Sequence, residues 1–167
     1  MEKFDAKSFV AMQSIVGKHL VDIFKQLDFF IINFGDKDIE YSLHTYAPPR
    51  ISYESKILLT GTDEYYDKNY KPLSEEDYEK DELHTQSLLA LTTRRVKKLL
   101  KDVRIEKAEI SPYADIKIVF ENGACIDVFP NCAELNCEHY RFFKYNDSSS
   151  PHYVIRQKKN TLYLETV

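Results

Sequence analysis

With 167 residues, 43% of them hydrophobic and 13% aromatic, the chain suits one domain with a substantial core. A net charge of −4 argues against a nucleic-acid binder, which shows a basic stripe, and no apolar run nears the roughly 20 residues of a membrane-spanning helix. The N-terminal MEKFDAKSFV carries two acids and no long apolar stretch, so it does not read as a secretory signal, and Cys125, Cys132 and Cys137 are expected to be reduced thiols of a cytoplasmic protein.

In chain order, residues 4–12 suit a short helical turn. Leu20, Phe24 and Leu27 fit a helical period, but Ile, Val and Phe dominate, so strands are expected at 14–25 and 28–34. Gly35-Asp36 makes a turn. Strands at 39–46 and 51–60 follow, parted by Ala47-Pro48-Pro49, where a proline would remove a ladder donor. The stretch 62–83 differs in kind. It holds three lysines against nine acids, a net charge of −6, which leaves the rest of the chain at +2. Tyr65, Tyr66, Tyr70 and Tyr78 lie among the acids, and no apolar period is present. It reads as an acidic, tyrosine-rich loop with a helical turn at 74–80.

Thr85 is a plausible N-cap for the main helix, expected over 86–101. Leu88, Leu89, Leu91, Val96, Leu99 and Leu100 give it an apolar stripe, and Arg94, Arg95, Lys97, Lys98 and Lys101 suit the negative end of its dipole. A strand at 103–111 leads to DIKIVFENGACIDVFP, residues 115–130. Asn122-Gly123 is a strong hairpin signal, and a two-residue type I′ turn there sets Phe120 opposite Cys125, Val119 opposite Ile126 and Ile118 opposite Asp127. In that register both faces are apolar, which places the hairpin inside a sheet with cover on both sides. Strands at 138–145, 152–157 and 161–165 end the chain. The expected fold is α+β: one domain, residues 1–167, with an antiparallel-rich sheet of about eight or nine strands around one helix.

The chemistry-bearing residues are sparse. Cys132, Cys137 and His139, with Cys125 as a fourth ligand, could hold zinc, but the Cys-x4-Cys-x-His spacing departs from the usual two-residue gap. Cys132 or Cys137 with His139 or His152 could make a nucleophile and base, yet nothing in the sequence marks a lowered thiol pKa. No metal, cofactor or catalytic residue is therefore assigned. The basic run 92–101 reads as a solvated helix face rather than a nucleic-acid patch.

YSLH (41–44), PRI (49–51), FENG (120–123), VFP (128–130), EHYRFF (138–143) and PHYV (151–154) occur in an order that resembles a family of small bacterial proteins of uncharacterised function. Some of its members are encoded as immunity proteins beside polymorphic or contact-dependent growth inhibition toxins. The chain departs from that pattern in lacking Trp, which relatives often carry before the arginine of PRI and where Tyr140 stands. The resemblance implies an immunity protein that neutralises a cognate toxin domain.

Acids that steer a basic partner and tyrosines that anchor it are the expected contact set: Asp63, Glu64, Tyr65, Tyr66, Asp67, Glu75, Glu76, Asp77, Tyr78 and Glu79. The loop 131–138 is a second candidate surface. A small-ligand module or a homo-oligomer built on tyrosine-rich strands is the alternative.

Overall fold

The computed structural model describes residues 2–6, 9–80, 85–131 and 136–167. The fold is α+β in one compact unit, and its strands form two antiparallel sheets rather than one. The first sheet has seven strands: β1 (Glu2–Lys3), β2 (His19–Gln26), β3 (Phe29–Gly35), β4 (Tyr41–Thr45), β10 (Cys137–Lys144), β11 (Tyr153–Lys158) and β12 (Thr161–Thr166), in the order β1-β12-β11-β10-β4-β3-β2. The second has five: β5 (Pro49–Tyr53), β6 (Lys56–Leu59), β7 (Ile105–Ile110), β8 (Ile116–Phe120) and β9 (Cys125–Val128), in the order β6-β5-β9-β8-β7. The expectation of a single sheet of eight or nine strands is thus corrected in number and in layering.

The chain changes sheet at the Ala47-Pro48-Pro49 break. β5 starts on Pro49, where a missing N–H costs least, so the proline break falls where expected. The expected strand over 51–60 is two strands, because Glu54 and Ser55 turn the chain with φ of 48° and 62°. Neither residue is a glycine or asparagine, so the sequence carried no turn signal there. Upstream, the expected strand over 14–25 begins later. A 3-10 helix spans Val10–Ile15, and its Gln13 amide donates to the Ala108 carbonyl at 2.6 Å, over the open edge of β7.

The β8–β9 hairpin closes one residue away from the expected register. Phe120 N–H donates to Ala124 O at 2.9 Å and Gly123 N–H to Phe120 O at 2.8 Å, so three residues make the loop. Gly123 alone takes a left-handed φ, +83°, and Asn122 Oδ1 accepts the Ala124 N–H at 3.0 Å. Ile118 therefore faces Ile126, and Lys117 faces Asp127. That one step sorts the faces. Ile116, Ile118, Phe120, Ala124, Ile126 and Val128 are all buried on one side, while Lys117, Val119, Cys125 and Asp127 share the other. The hairpin does lie inside its sheet, but only one face needs apolar cover.

That cover is the seven-stranded sheet. Phe30, Ile32, Phe34, Leu43, Tyr140, Phe142 and Ile155 join the hairpin residues in one core cluster. The Tyr140 hydroxyl crosses to donate to Ala114 O at 2.9 Å, and burial holds its pKa far above the ordinary tyrosine range. The main helix, here α2 (Leu88–Leu100), begins at Ser87 rather than Thr85. Its buried side is Leu88, Leu89, Thr92, Thr93, Val96 and Leu100, so two threonines take places that the expected stripe gave to Leu91 and Leu99. α2 packs beside β2 and β6, one edge strand from each sheet. No helix among the described residues is long and apolar enough to cross a membrane.

Candidate functional site

The acidic stretch leaves β6 through a 3-10 helix, Gly61–Tyr65, which packs tightly on the sheet crossover. A Cβ on Gly61 would sit 2.1 Å from Pro48 Cβ, so only glycine fits. Thr60 and Asp63 cap this helix reciprocally: Asp63 Oδ2 accepts the Thr60 N–H at 3.2 Å, and Thr60 Oγ1 donates to Asp63 Oδ1 at 2.9 Å. From Tyr65 to Leu73 the chain doubles back, with Leu73 N–H donating to Tyr65 O at 2.9 Å. Asp67 Oδ1 accepts the N–H groups of Asn69 and Lys71, at 2.7 and 2.9 Å, which holds its carboxyl below the usual range. A short helix, α1 (Glu75–Lys80), follows as expected. Ser74 and Asp77 cap it, the hydroxyl donating to Asp77 Oδ2 at 2.6 Å.

Glu64 ties this segment to the body. It is 4% exposed, and its carboxylate pairs with the ammonium of Lys25 on β2. The Tyr78 hydroxyl donates to the same carboxylate oxygen at 3.2 Å. Burial, and then the neighbouring Glu64 charge, push the Tyr78 pKa up to about 12. The Tyr78 ring also stacks on Tyr65 with centroids 5.3 Å apart. The carbonyl of Tyr66 in turn accepts the first helical N–H of α2, from Leu88, at 2.6 Å. So the segment is a folded flap, fastened to β2 and α2, and not a bare loop.

The ten expected contact residues therefore separate. Glu64 faces inward and is removed from the contact set: a buried, paired carboxylate cannot meet a partner. Asp63, Asp67 and Asp77 stabilise turns and caps. Glu75, Glu76 and Glu79 on α1 are exposed, with Glu76 paired to Lys80 one turn on. Tyr65, Tyr66 and also Tyr70 present rings 50%, 38% and 64% exposed, while Tyr78 is half-buried beneath Tyr65. Asp81, Glu82 and Leu83 lie outside the described residues.

Residues 132–135 of the 131–138 loop, Cys132 among them, also lie outside the described residues. Glu138, at its end, is taken by Arg141 at 2.7 Å and Arg156 at 2.8 Å. Cys125 sits on the outer face of β9, its thiol pKa raised by burial and then by Asp127. The His139 ring is buried, with Nε2 against Gln157 Oε1 at 3.2 Å and Nδ1 without a partner among the described residues. Burial lowers its pKa, and the Gln157 contact works the other way. No group of three or more His, Cys, Asp or Glu side chains among the described residues is placed to hold a metal ion.

One arrangement escaped the sequence. Tyr46, Phe29, His44, Phe143 and His152 form a continuous row of rings on the outer face of the seven-stranded sheet, ending in a Phe143–His152 stack at 4.3 Å. The rings come from distant stretches of chain, so only the pairing of β3, β4 and β10 brings them together. Burial, then Arg141 and His152, lower the pKa of His44. The chain matches no family model, no curated protein and no solved structure.

Proposed function

We propose that the chain is a non-catalytic immunity protein that binds a basic bacterial toxin domain, of the nuclease type, in the cytoplasm and blocks it. One observation carries the reading. Glu75, Glu76 and Glu79 are exposed on α1, and the same flap, already fastened to the body, exposes the rings of Tyr65, Tyr66 and Tyr70. Acids on a pre-ordered frame speed encounter with a cationic partner, and tyrosines supply anchors at little entropic cost. The motif order, which resembles a family with immunity proteins among its members, supports the same reading.

The test is co-expression with the toxin domain encoded beside the gene. Glu75→Lys, Glu76→Lys and Glu79→Lys together should leave the fold intact and abolish protection; Asp77 is kept because it caps α1. Association of the purified pair should also slow with salt, since exposed charges are screened beyond about 8–10 Å. A folded triple variant that still protects cells overturns the assignment of this surface.

A further inference from the structure

Lys25, Glu64, Tyr78 and Tyr65 form a relay of contacts that starts on β2 and ends on the surface of the flap. Its inner part is buried: the side chains of Lys25 and Glu64 are 12% and 6% exposed. One carboxylate oxygen, Glu64 Oε2, takes both the Lys25 ammonium and the Tyr78 hydroxyl, the latter at 3.2 Å. A shift of that oxygen therefore disturbs both partners. The phenol stays a donor through the neutral range, since its pKa lies up at about 12. The Tyr78 ring stacks on Tyr65 with centroids 5.3 Å apart, and Tyr65 is the outermost member, 50% exposed.

The backbone and the ring of Tyr65 are held by different contacts. Its carbonyl accepts the Leu73 N–H at 2.9 Å, and the next carbonyl, of Tyr66, accepts the Leu88 N–H at 2.6 Å. The ring leans on Tyr78. Ordering a free side chain at an interface costs binding free energy, and a ring that is already set avoids that cost.

We infer that Lys25 is a positioning residue for the toxin-binding face: acting through Glu64 and Tyr78, it presets the Tyr65 ring as an anchor. The inference rests on the proposed toxin binding and deepens it in two ways. Tyr78 becomes a support and not a contact, and the anchor ring is controlled from β2, a strand outside the flap. A preset anchor slows dissociation, whereas the exposed acids of α1 act on the association rate.

Two variants break the relay without touching Tyr65. Tyr78→Phe keeps the ring and removes the hydroxyl. Lys25→Met with Glu64→Leu replaces the buried pair by apolar side chains, which spares the fold, and removes the oxygen that Tyr78 bonds. Each is checked for native dichroism first. In the free full chain with isotopically labelled tyrosine rings, both should move the Tyr65 ring signals toward those of an unrestrained tyrosine. With the toxin domain encoded beside the gene, both should speed dissociation about tenfold and leave the association rate and its salt dependence unchanged. Tyr65→Ala should speed dissociation at least as much. Adding Tyr78→Phe to it should change nothing further, which a general loss of stability would not reproduce. Unmoved Tyr65 signals in both variants, unchanged dissociation, or additive effects of Tyr65→Ala and Tyr78→Phe overturn the inference. Moved ring signals in a chain that does not bind the toxin at all overturn the toxin reading instead, and leave the setting of Tyr65 from Lys25 intact.

Discussion

The β8–β9 hairpin and the flap from Gly61 to Lys80 are held by different physics. The hairpin is sorted by alternation: once one loop residue is set, Ile116, Ile118, Phe120, Ile126 and Val128 fall inward, and both charged side chains, Lys117 and Asp127, fall outward. The flap has no alternation. It is held by particular polar groups, Glu64 on Lys25 and Tyr78, Asp63 on Thr60, Asp67 on its own turn. Side-chain type therefore reports position in the hairpin and misleads in the flap, where the best-buried residue is an acid.

The largest expected effect belongs to the hairpin. Phe120→Ala removes a fully buried ring from the shared core and should cost about 3–5 kcal/mol in chemical denaturation. Val119→Ala, on the outer face, should cost less than about 1 kcal/mol. Apolar cover on both faces would raise the Val119 cost above that limit, so the pair tests whether the outer face of the hairpin is covered.

The flap answers to a different change. Lys25→Met leaves the Glu64 carboxylate buried without its cation, and loss of one partner of a buried pair costs about 3–5 kcal/mol. Lys25→Met with Glu64→Leu should recover most of that, as apolar replacements of buried pairs commonly do. Hydrogen exchange should show the single variant loosening 61–80 ahead of the sheets. Uniform loosening would mean that Glu64 supports the core and not the flap.

How much was legible follows the same division. Helix α2, the terminal strands and the Pro48-Pro49 break were readable because periodicity and proline act locally. The Glu54-Ser55 turn was not, since neither residue announces a left-handed conformation. The hairpin was found but its register was not: Asn-Gly serves both a two-residue and a three-residue loop, and only the opposing sheet, with one apolar face to cover, decides between them. In the flap, charge and tyrosine content singled out the stretch but not how it folds. Which acids face inward depended on Lys25, 39 residues away from Glu64.

Gly123 separates turn geometry from packing. A Cβ built there meets nothing within 4 Å, so the cost of Gly123→Val is backbone strain at φ +83°, of order 1–3 kcal/mol. Gly123→Asn should cost much less, because asparagine tolerates the left-handed region. Equal costs for the two would show that space, not φ, limits the position.

The smallest effect is expected from pH, and it belongs to the seven-stranded sheet. His139 and His44 both have lowered pKa values in the folded chain, chiefly through burial. The unfolded chain takes up protons near pH 6.5, while the folded chain resists them. The unfolded state therefore binds more protons below that pH, and stability falls as the pH drops through 6.5 toward the lowered folded values. One histidine can contribute a slope of at most about 1.4 kcal/mol per pH unit. Carboxylates such as Asp67, lowered in the fold, add their own loss only in more acidic solution. Denaturation midpoints at pH 7.5, 6.5 and 5.5 should decline across that series. His139→Gln, which keeps a polar group near Gln157 but cannot titrate, should flatten the slope even if it lowers stability at every pH. An unchanged slope would place the titrating burden on His44, beside Arg141 and His152 in the ring row, and His44→Gln would then have to flatten it.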